Sequence, residues 1–349
     1  MSHNNPFIHG NPVSPEQFIG RDTEVRRIVG RILTGQSTAI TGSPRSGKTS
    51  ILQYLIAPEK KTILYGDDEA EQLIFSYVDA GTLESEIGLT QFWAIVLKPF
   101  KKLLLTKHAN SALSQTFQAF EKNGFLQEDE FEELVAKIQQ IGWRFVVLLD
   151  EFEFLLHHPN LNSVKFFGTL RKRFSLSKGA FVLVTTASIS RQQLNQNTQE
   201  LNPTGSPYFN FIEEVILGTL SNTQIDELLY RNNDDFTKDD RRFIKSIARG
   251  HPYHLQLAAS ILWEIYEVSD EDDPLKRQKR VKQRFYEEIK KQSLINTVLR
   301  HLKRYQLFLK SIDFGIFFDI DKVENSKFYR IIAVVSVVLG IVAAILAFV

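Results

Sequence analysis

Gly42-Ser43-Pro44-Arg45-Ser46-Gly47-Lys48-Thr49 satisfies the pattern G-x-x-x-x-G-K-[ST] at every position. Before it, Ser37-Thr38-Ala39-Ile40-Thr41 reads as a short buried strand. After it, Ser50-Ile51-Leu52-Gln53-Tyr54-Leu55 carries apolar residues at helical spacing. Strand, glycine turn and helix start in that order build an anion site. The glycines let the backbone turn tightly with its N–H groups inward, and the new helix adds the positive end of its dipole. Lys48 is then expected to reach the β- and γ-phosphates of ATP as a point charge, and the Thr49 hydroxyl to ligate Mg²⁺. Residues 42–50, Ser50 included, form the expected phosphate cradle.

Working outward, Leu73-Ile74-Phe75-Ser76-Tyr77-Val78-Asp79 is a strand of the continuous apolar kind found in covered parallel sheets. Helices are predicted over 91–107, 111–122 and 127–141. Phe145-Val146-Val147-Leu148-Leu149-Asp150-Glu151 then gives an apolar strand ending in two carboxylates, a Walker B pattern. The carboxyl end of such a strand is where ligands bind in open α/β sheets. Asp150 is expected to hold Mg²⁺ through its water shell, and Glu151 to orient or activate the attacking water. A helix over 167–174 leads to the strand 180–188, which ends in hydroxyls. Thr186 at that tip either contacts the γ-phosphate or its water, or merely caps the strand end. Residues 191–208, rich in Gln, Asn, Pro and Ser, read as a mobile loop, and 211–215 as a last short strand. The alternation predicts an α/β doubly wound parallel sheet.

From Ser221 the pattern becomes helical, with helices over 224–231, 237–248 and 253–266 broken by Gly250-His251-Pro252. This reads as a small helical lid. Two further helices are predicted beyond the acidic stretch 269–274. The expected organisation is an extended arm (1–17), a nucleotide-binding core (18–216), the lid (217–268), a basic helical segment (274–312), a linker (313–330) and a membrane span (331–349).

The span is expected because 331–349 is uncharged and apolar throughout, about the length that crosses a hydrocarbon core as a helix. Phe328 and Tyr329 suit an interfacial belt, and Lys322, Lys327 and Arg330 suit a cytoplasmic flank. Lysine plus arginine number 42 against 41 acidic residues, so any partner preference set by charge must be local. One local excess exists. Between 274 and 310 lie Lys276, Arg277, Lys279, Arg280, Lys282, Arg284, Lys290, Lys291, Arg300, Lys303, Arg304 and Lys310, against Glu287 and Glu288 alone. Next to a membrane span this favours anionic lipid headgroups, with nucleic acid as the alternative and a solvated helix pair as the plain one. Ala333, Ser336, Gly340, Ala343 and Ala347 share a helical stripe that suits self-association in lipid. The absence of cysteine excludes disulfides and thiolate zinc sites. Residues 1–5 carry no signal-peptide pattern, so the bulk of the chain is expected on the cytoplasmic side of a cell inner membrane.

Several spaced motifs together resemble the STAND branch of the AAA+ P-loop ATPases, whose kin include origin-recognition-like archaeal ATPases. They are Asn5-Pro6-Phe7 with Pro12-Val13, Phe18-Ile19-Gly20-Arg21, the phosphate loop, Leu149-Asp150-Glu151-Phe152-Glu153 and Gly250-His251-Pro252-Tyr253. The resemblance implies that Phe18, Ile19 and Arg21 line the adenine side and that Pro252 closes over base or sugar. It lets His251 approach a phosphate, although His251 also reads as a helix-breaking turn residue. It makes Arg171 and Arg173 candidates for an arginine finger donated to a neighbouring subunit, a solvated helix face being the alternative. Ala187 stands where some members carry an arginine, and the chain has no room for a sensor repeat array before residue 331. The implied function is a membrane-anchored STAND-type ATP switch that forms a homo-oligomer on a trigger read by a separate sensor or effector protein, with antiphage abortive infection as its setting. The rival reading is a membrane-tethered ATPase that handles DNA or RNA.

Overall fold

The computed structural model describes residues 5–203, 205–232, 236–268 and 273–311. The predicted linker and membrane span, 313–349, lie outside them. Among the described residues no helix is long and apolar enough to cross a membrane. The chain divides into two compact units, 1–260 and 261–349, each described here by itself.

The first unit is built on five strands: β1 (Thr38–Gly42), β2 (Leu73–Asp79), β3 (Arg144–Asp150), β4 (Phe181–Ala187) and β5 (Glu213–Leu217). Every pairing is parallel, in the order β2-β3-β4-β1-β5. Helices on both faces explain why β4 and, from Phe145 on, β3 are buried without interruption. On one face Val146 and Leu148 pack with α1 (Asp22–Leu33) and α2 (Lys48–Ile56) through Ile28, Ile32, Ile51 and Leu55. On the other, Phe145, Val147 and Leu149 meet α5 (Leu89–Lys107), α6 (Ala112–Lys122), α7 (Glu128–Gln140) and α8 (Val164–Leu176) in a core rich in phenylalanine. The period-2 alternation along β3 thus divides two cores. Between α2 and β2 lie two short helices that the sequence reading passed over, α3 (Pro58–Tyr65) and α4 (Asp67–Gln72).

Three expectations are corrected. The stretch read as a mobile loop from 191 contains α9 (Arg191–Gln199), started by Ser190 and Gln193, which cap each other reciprocally, and anchored by buried Leu194 and Thr198. Its polar composition masked two apolar contacts at helical spacing. The last strand begins two residues later than predicted, at Glu213. After α10 (Asn222–Asn232), α11 (Lys238–Ala248) and α12 (Pro252–Val268), a single helix α13 (Pro274–Ser311) replaces the predicted pair. No Gly or Pro falls between 275 and 311 to break it.

The described part of the N-terminal arm is tied to the first unit. Asn5 Nδ2 donates to Ser260 Oγ at 2.8 Å, Phe7 is buried and stacked on Phe236, and the Val13 N–H donates to Ser50 Oγ at 3.2 Å. In the second unit Val281 and Phe285 of α13 are buried. Arg277 stacks on Tyr266, Arg284 pairs with Glu264, and Lys279, Lys282 and Lys290 are exposed.

Candidate nucleotide site

The phosphate loop leaves β1 at Gly42 and enters α2 at Lys48, with Arg45 at φ 63° and Gly47 at φ 94° reversing its backbone. Gly42 is required by contact. A Cβ there would fall 2.8 Å from Ser46 Oγ and 2.9 Å from the Leu217 carbonyl. Lys48 is buried, and its Nζ donates to the Gly42 and Ser43 carbonyls, each at 3.0 Å, and to Ser188 Oγ at 3.3 Å. Burial lowers its pKa, opposed by the charges of Glu153, Asp150 and Glu151. Its ammonium thus faces carboxylates at a distance while its hydrogen bonds go to neutral oxygens. Ser46 Oγ is buried without a partner. Thr49 is half-buried on the first turn of α2. The Ser50 hydroxyl is buried and accepts the Val13 N–H, so its side chain anchors the arm.

Opposite the loop, β3 delivers Asp150, which is 2 % exposed. Its Oδ2 accepts from the Tyr77 hydroxyl at 2.9 Å, and its Oδ1 from the Thr186 hydroxyl and from the Glu151 N–H at 3.1 Å. Register explains these partners. Asp150 ends β3 between β2, which brings Tyr77, and β4, which brings Thr186. Burial and the Asp150 charge raise the Tyr77 pKa, so Tyr77 stays a donor. The Thr186 hydroxyl is therefore spent on Asp150, and Thr186 is fully buried. Ser188, two residues on, is the strand-tip hydroxyl that meets Lys48. Glu151 is exposed at φ 51°, a left-handed conformation that costs a non-glycine residue about 1–3 kcal/mol and clusters at functional sites. Glu153 sits one turn further along, its Oε1 accepting the Ser188 N–H at 2.9 Å.

Around the loop, Phe18 stacks on Tyr54 of α2 at 4.6 Å and Ile19 is half-buried beside it in sequence. Arg21 is turned toward its own chain. It is 3 % exposed, and its guanidinium donates to the carbonyls of Gly218 at 2.6 Å and Ser46 at 3.4 Å, bracing the phosphate loop against the exit of β5. Gly250, at φ 75°, comes so close to Thr219 and Leu220 that a Cβ would lie 3.0 Å from each. The approach fixes His251, whose Nε2 stands 3.2 Å from Ser43 Oγ. His251 precedes α12, and Pro252 takes the first helical position, where a missing N–H costs nothing. Burial, then the nearby His254, push the His251 pKa down to about 4.

The two candidate finger arginines separate. Arg171 is half-buried and donates to the Ser206 carbonyl at 3.3 Å. Arg173 is fully buried among Trp93, Phe131 and Phe120, donates to the Phe125 carbonyl at 2.5 Å, and lies 3.6 Å from Glu128. A finger must reach out of its own subunit, whereas the Arg173 side chain is enclosed in its own core. Desolvation explains why its pKa falls to about 10.

Tyr77, Glu153 and Ser188 are residues to which the motif reading gave no role. Only strand register signals Tyr77. Glu153 and Ser188 each lie two residues past a position already singled out, Glu151 and Thr186. A separate groove of about 500 Å³, lined in part by Arg191, Asn195, Gln199 and Glu214, shares no residue with the loop, and its Arg191 guanidinium is engaged by the Ile212 carbonyl.

No family model matches the chain, and no curated protein matches it either. Among solved structures it is similar to a Walker-type ATPase of Pyrococcus abyssi, with a TM-score of 0.57 and 18% identity over 86% of this chain and 80% of that one. It is also similar to the ORC2 protein of Aeropyrum pernix in its ADPNP-ADP complexes, with a TM-score of 0.53 and 16% identity over 78% and 70%. A Drosophila ORC structure bound to DNA follows, with a TM-score of 0.51 and 14% identity over 79% of this chain and 63% of that one. The chain shares its fold with these structures. Within it, β1 leads into the glycine loop, β3 ends in the Asp150 carboxylate, and Ser188, just after β4, meets Lys48. The residues present fit a nucleotide phosphate with Mg²⁺. Gly42 makes a cradle that a Cβ would fill, Ser46 Oγ is an orphaned polar atom, and Thr49 and Asp150 supply hard oxygens.

Proposed function

We propose that the chain is an ATP-binding and ATP-hydrolysing AAA+ switch. The observation that carries it is the convergence on one spot of Lys48, whose hydrogen bonds go only to neutral oxygens, with Ser188 from β4 and the Asp150–Glu151 pair from β3. ATP with Mg²⁺ would supply the phosphoryl group, and phosphoryl transfer asks the protein mainly for position and charge. Lys48 and the loop N–H groups hold the phosphates. Thr49 and Asp150 hold the metal and its waters, with Asp150 oriented by Tyr77 and Thr186. Glu151 orients the attacking water. The test is nucleotide binding to the full chain in detergent with a fluorescent ATP analogue, followed by phosphate release. Lys48→Ala should abolish binding, and Glu151→Gln should keep binding and lose turnover; wild-type chain that binds no ATP would end the proposal.

Within that reading, the STAND branch is supported by the spaced motifs from Asn5 to Tyr253, and helices 217–268 serve as the lid. The membrane anchor rests on the uncharged run 331–349. It makes the protein a single-pass inner-membrane switch whose clustering acts on the bilayer, as in abortive-infection defence. Cells expressing the chain without 331–349 should then lose the trigger-dependent effect. The second reading, a tethered ATPase handling DNA or RNA, is favoured by the exposed lysines of α13. Duplex binding that weakens steeply with salt and disappears when Lys276, Lys279, Lys282 and Arg284 are neutralised would select it.

A further inference from the structure

The carboxylate of Glu153 has no place in the roles above, and its geometry is unusual. Its Oε1 accepts the Ser188 N–H at 2.9 Å, while its Oε2 is buried without a hydrogen-bond partner. A carboxylate kept half-satisfied out of water is costly, so purely structural duty explains it poorly. The residue it holds is the one that matters. Ser188 follows the last residue of β4, and its hydroxyl lies 3.3 Å from Lys48 Nζ, which is otherwise turned back on the Gly42 and Ser43 carbonyls.

We infer that Glu153 is a positioning residue that fixes the backbone of Ser188, so that the Ser188 hydroxyl follows Lys48 toward the phosphates. The inference rests on the nucleotide-site reading. Once Lys48 leaves the loop carbonyls for a terminal phosphate, a Ser188 held in place presents its hydroxyl to the same phosphate or to the attacking water. A drifting Ser188 does not, and a misplacement of about 1 Å at such a point costs roughly a hundredfold in rate. Glu153 does this by accepting a hydrogen bond, a role separate from the effect of its charge on Lys48. That distinction separates it from Asp150 and Glu151 on the same strand end.

Two substitutions divide the roles. Glu153→Asp keeps the charge and shortens the reach, whereas Glu153→Gln loses the charge and keeps an acceptor for the Ser188 N–H. Steady-state ATP hydrolysis by the full chain in detergent should show kcat lowered roughly ten- to hundredfold in Glu153→Asp and in Ser188→Ala, with KM within about threefold of wild type. Glu153→Gln should recover most of that loss. The Glu153→Asp, Ser188→Ala double variant should be no slower than Ser188→Ala alone, because the two act as one unit. A slow Glu153→Gln beside a normal Glu153→Asp would overturn the inference in favour of a charge role. Additive losses, or a Ser188→Ala enzyme of wild-type rate, would also overturn it. Wild-type chain that binds ATP analogue but shows no Glu153 effect sinks this inference alone. Wild-type chain that binds no nucleotide sinks the reading beneath it.

Discussion

The guanidinium of Arg45 lies over the ring of Tyr253, with 4.4 Å between Cζ and the ring centroid. Arg45 belongs to the phosphate loop and Tyr253 to the first turn of α12, so the contact joins two segments 208 residues apart at the apex of the anion site, as does His251 on Ser43. A cation–π contact of this kind contributes about 0.5–2 kcal/mol. Tyr253→Ala should therefore loosen the loop. Hydrogen exchange at residues 43–47 should rise roughly two- to thirtyfold, read by mass spectrometry in nucleotide-free chain. Unchanged exchange there would mean that the contact does not hold the loop.

His251 gives a pH signature. Burial comes first among the causes that push its pKa to about 4, followed by His254 and, more weakly, the positive Arg21 and Lys48. The unfolded value is near 6.5, so between pH 6.5 and 4 the unfolded chain binds the proton that the folded chain refuses. Stability is then highest above pH 6.5, falls as pH drops through the window, and loses nothing more from this group below 4. Urea unfolding of wild type and His251→Gln should diverge in slope only inside that window; parallel curves from pH 7 to 4 would refute the burial.

Asp150 makes a third case. Its carboxylate takes three donors from its own chain, and Thr186 is the one donor buried completely. Thr186→Val leaves the shape and removes the hydroxyl, which should cost about 1–3 kcal/mol of stability. Freed from Thr186, Asp150 should hold the metal's water shell less firmly. The Mg²⁺ concentration giving half-maximal hydrolysis should rise while the affinity for metal-free nucleotide stays put. An unchanged Mg²⁺ requirement would separate Thr186 from the metal site.

Much of this arrangement was legible because backbone chemistry dictates it. Residues 42–49 and the apolar run into Asp150-Glu151 constrain the chain locally, through glycine turns and a strand covered on both faces. The parallel sheet followed from their alternation. What escaped was set by register across strands and by packing between distant segments. Nothing near Tyr77 in sequence announces that β2 lies beside Asp150. Thr186 and Ser188 look alike at a strand tip, and only the pairing of β3 with β4 decides which meets Asp150 and which meets Lys48. Arg21 read as a ligand contact because its motif neighbours suggested one, whereas its burial against Gly218 makes it a brace. The helix α9 was hidden by composition, since Leu194 alone is apolar among its nine residues and gives almost no periodic signal.

Arg173 supplies the sharpest division between a fold residue and a site residue. Its guanidinium is enclosed by Trp93, Phe120 and Phe131, and its Nε and one terminal nitrogen have no hydrogen-bond partner. Removing the side chain leaves a cavity in the phenylalanine core, so Arg173→Ala should destabilise the chain by about 2–5 kcal/mol. Arg173→Met refills the volume and discards a charge that burial disfavours; replacements of that kind are often neutral or stabilising by about 1–4 kcal/mol. Calorimetry should therefore rank Met at or above wild type and Ala well below. A finger arginine predicts the reverse pattern in activity. It would make Arg173→Met as inactive as Arg173→Ala, and mixing Arg173→Met chains with Lys48→Ala chains would restore hydrolysis, each supplying what the other lacks. A stable Arg173→Met variant with wild-type turnover assigns the residue to the core, and rescue on mixing would return it to the site between subunits.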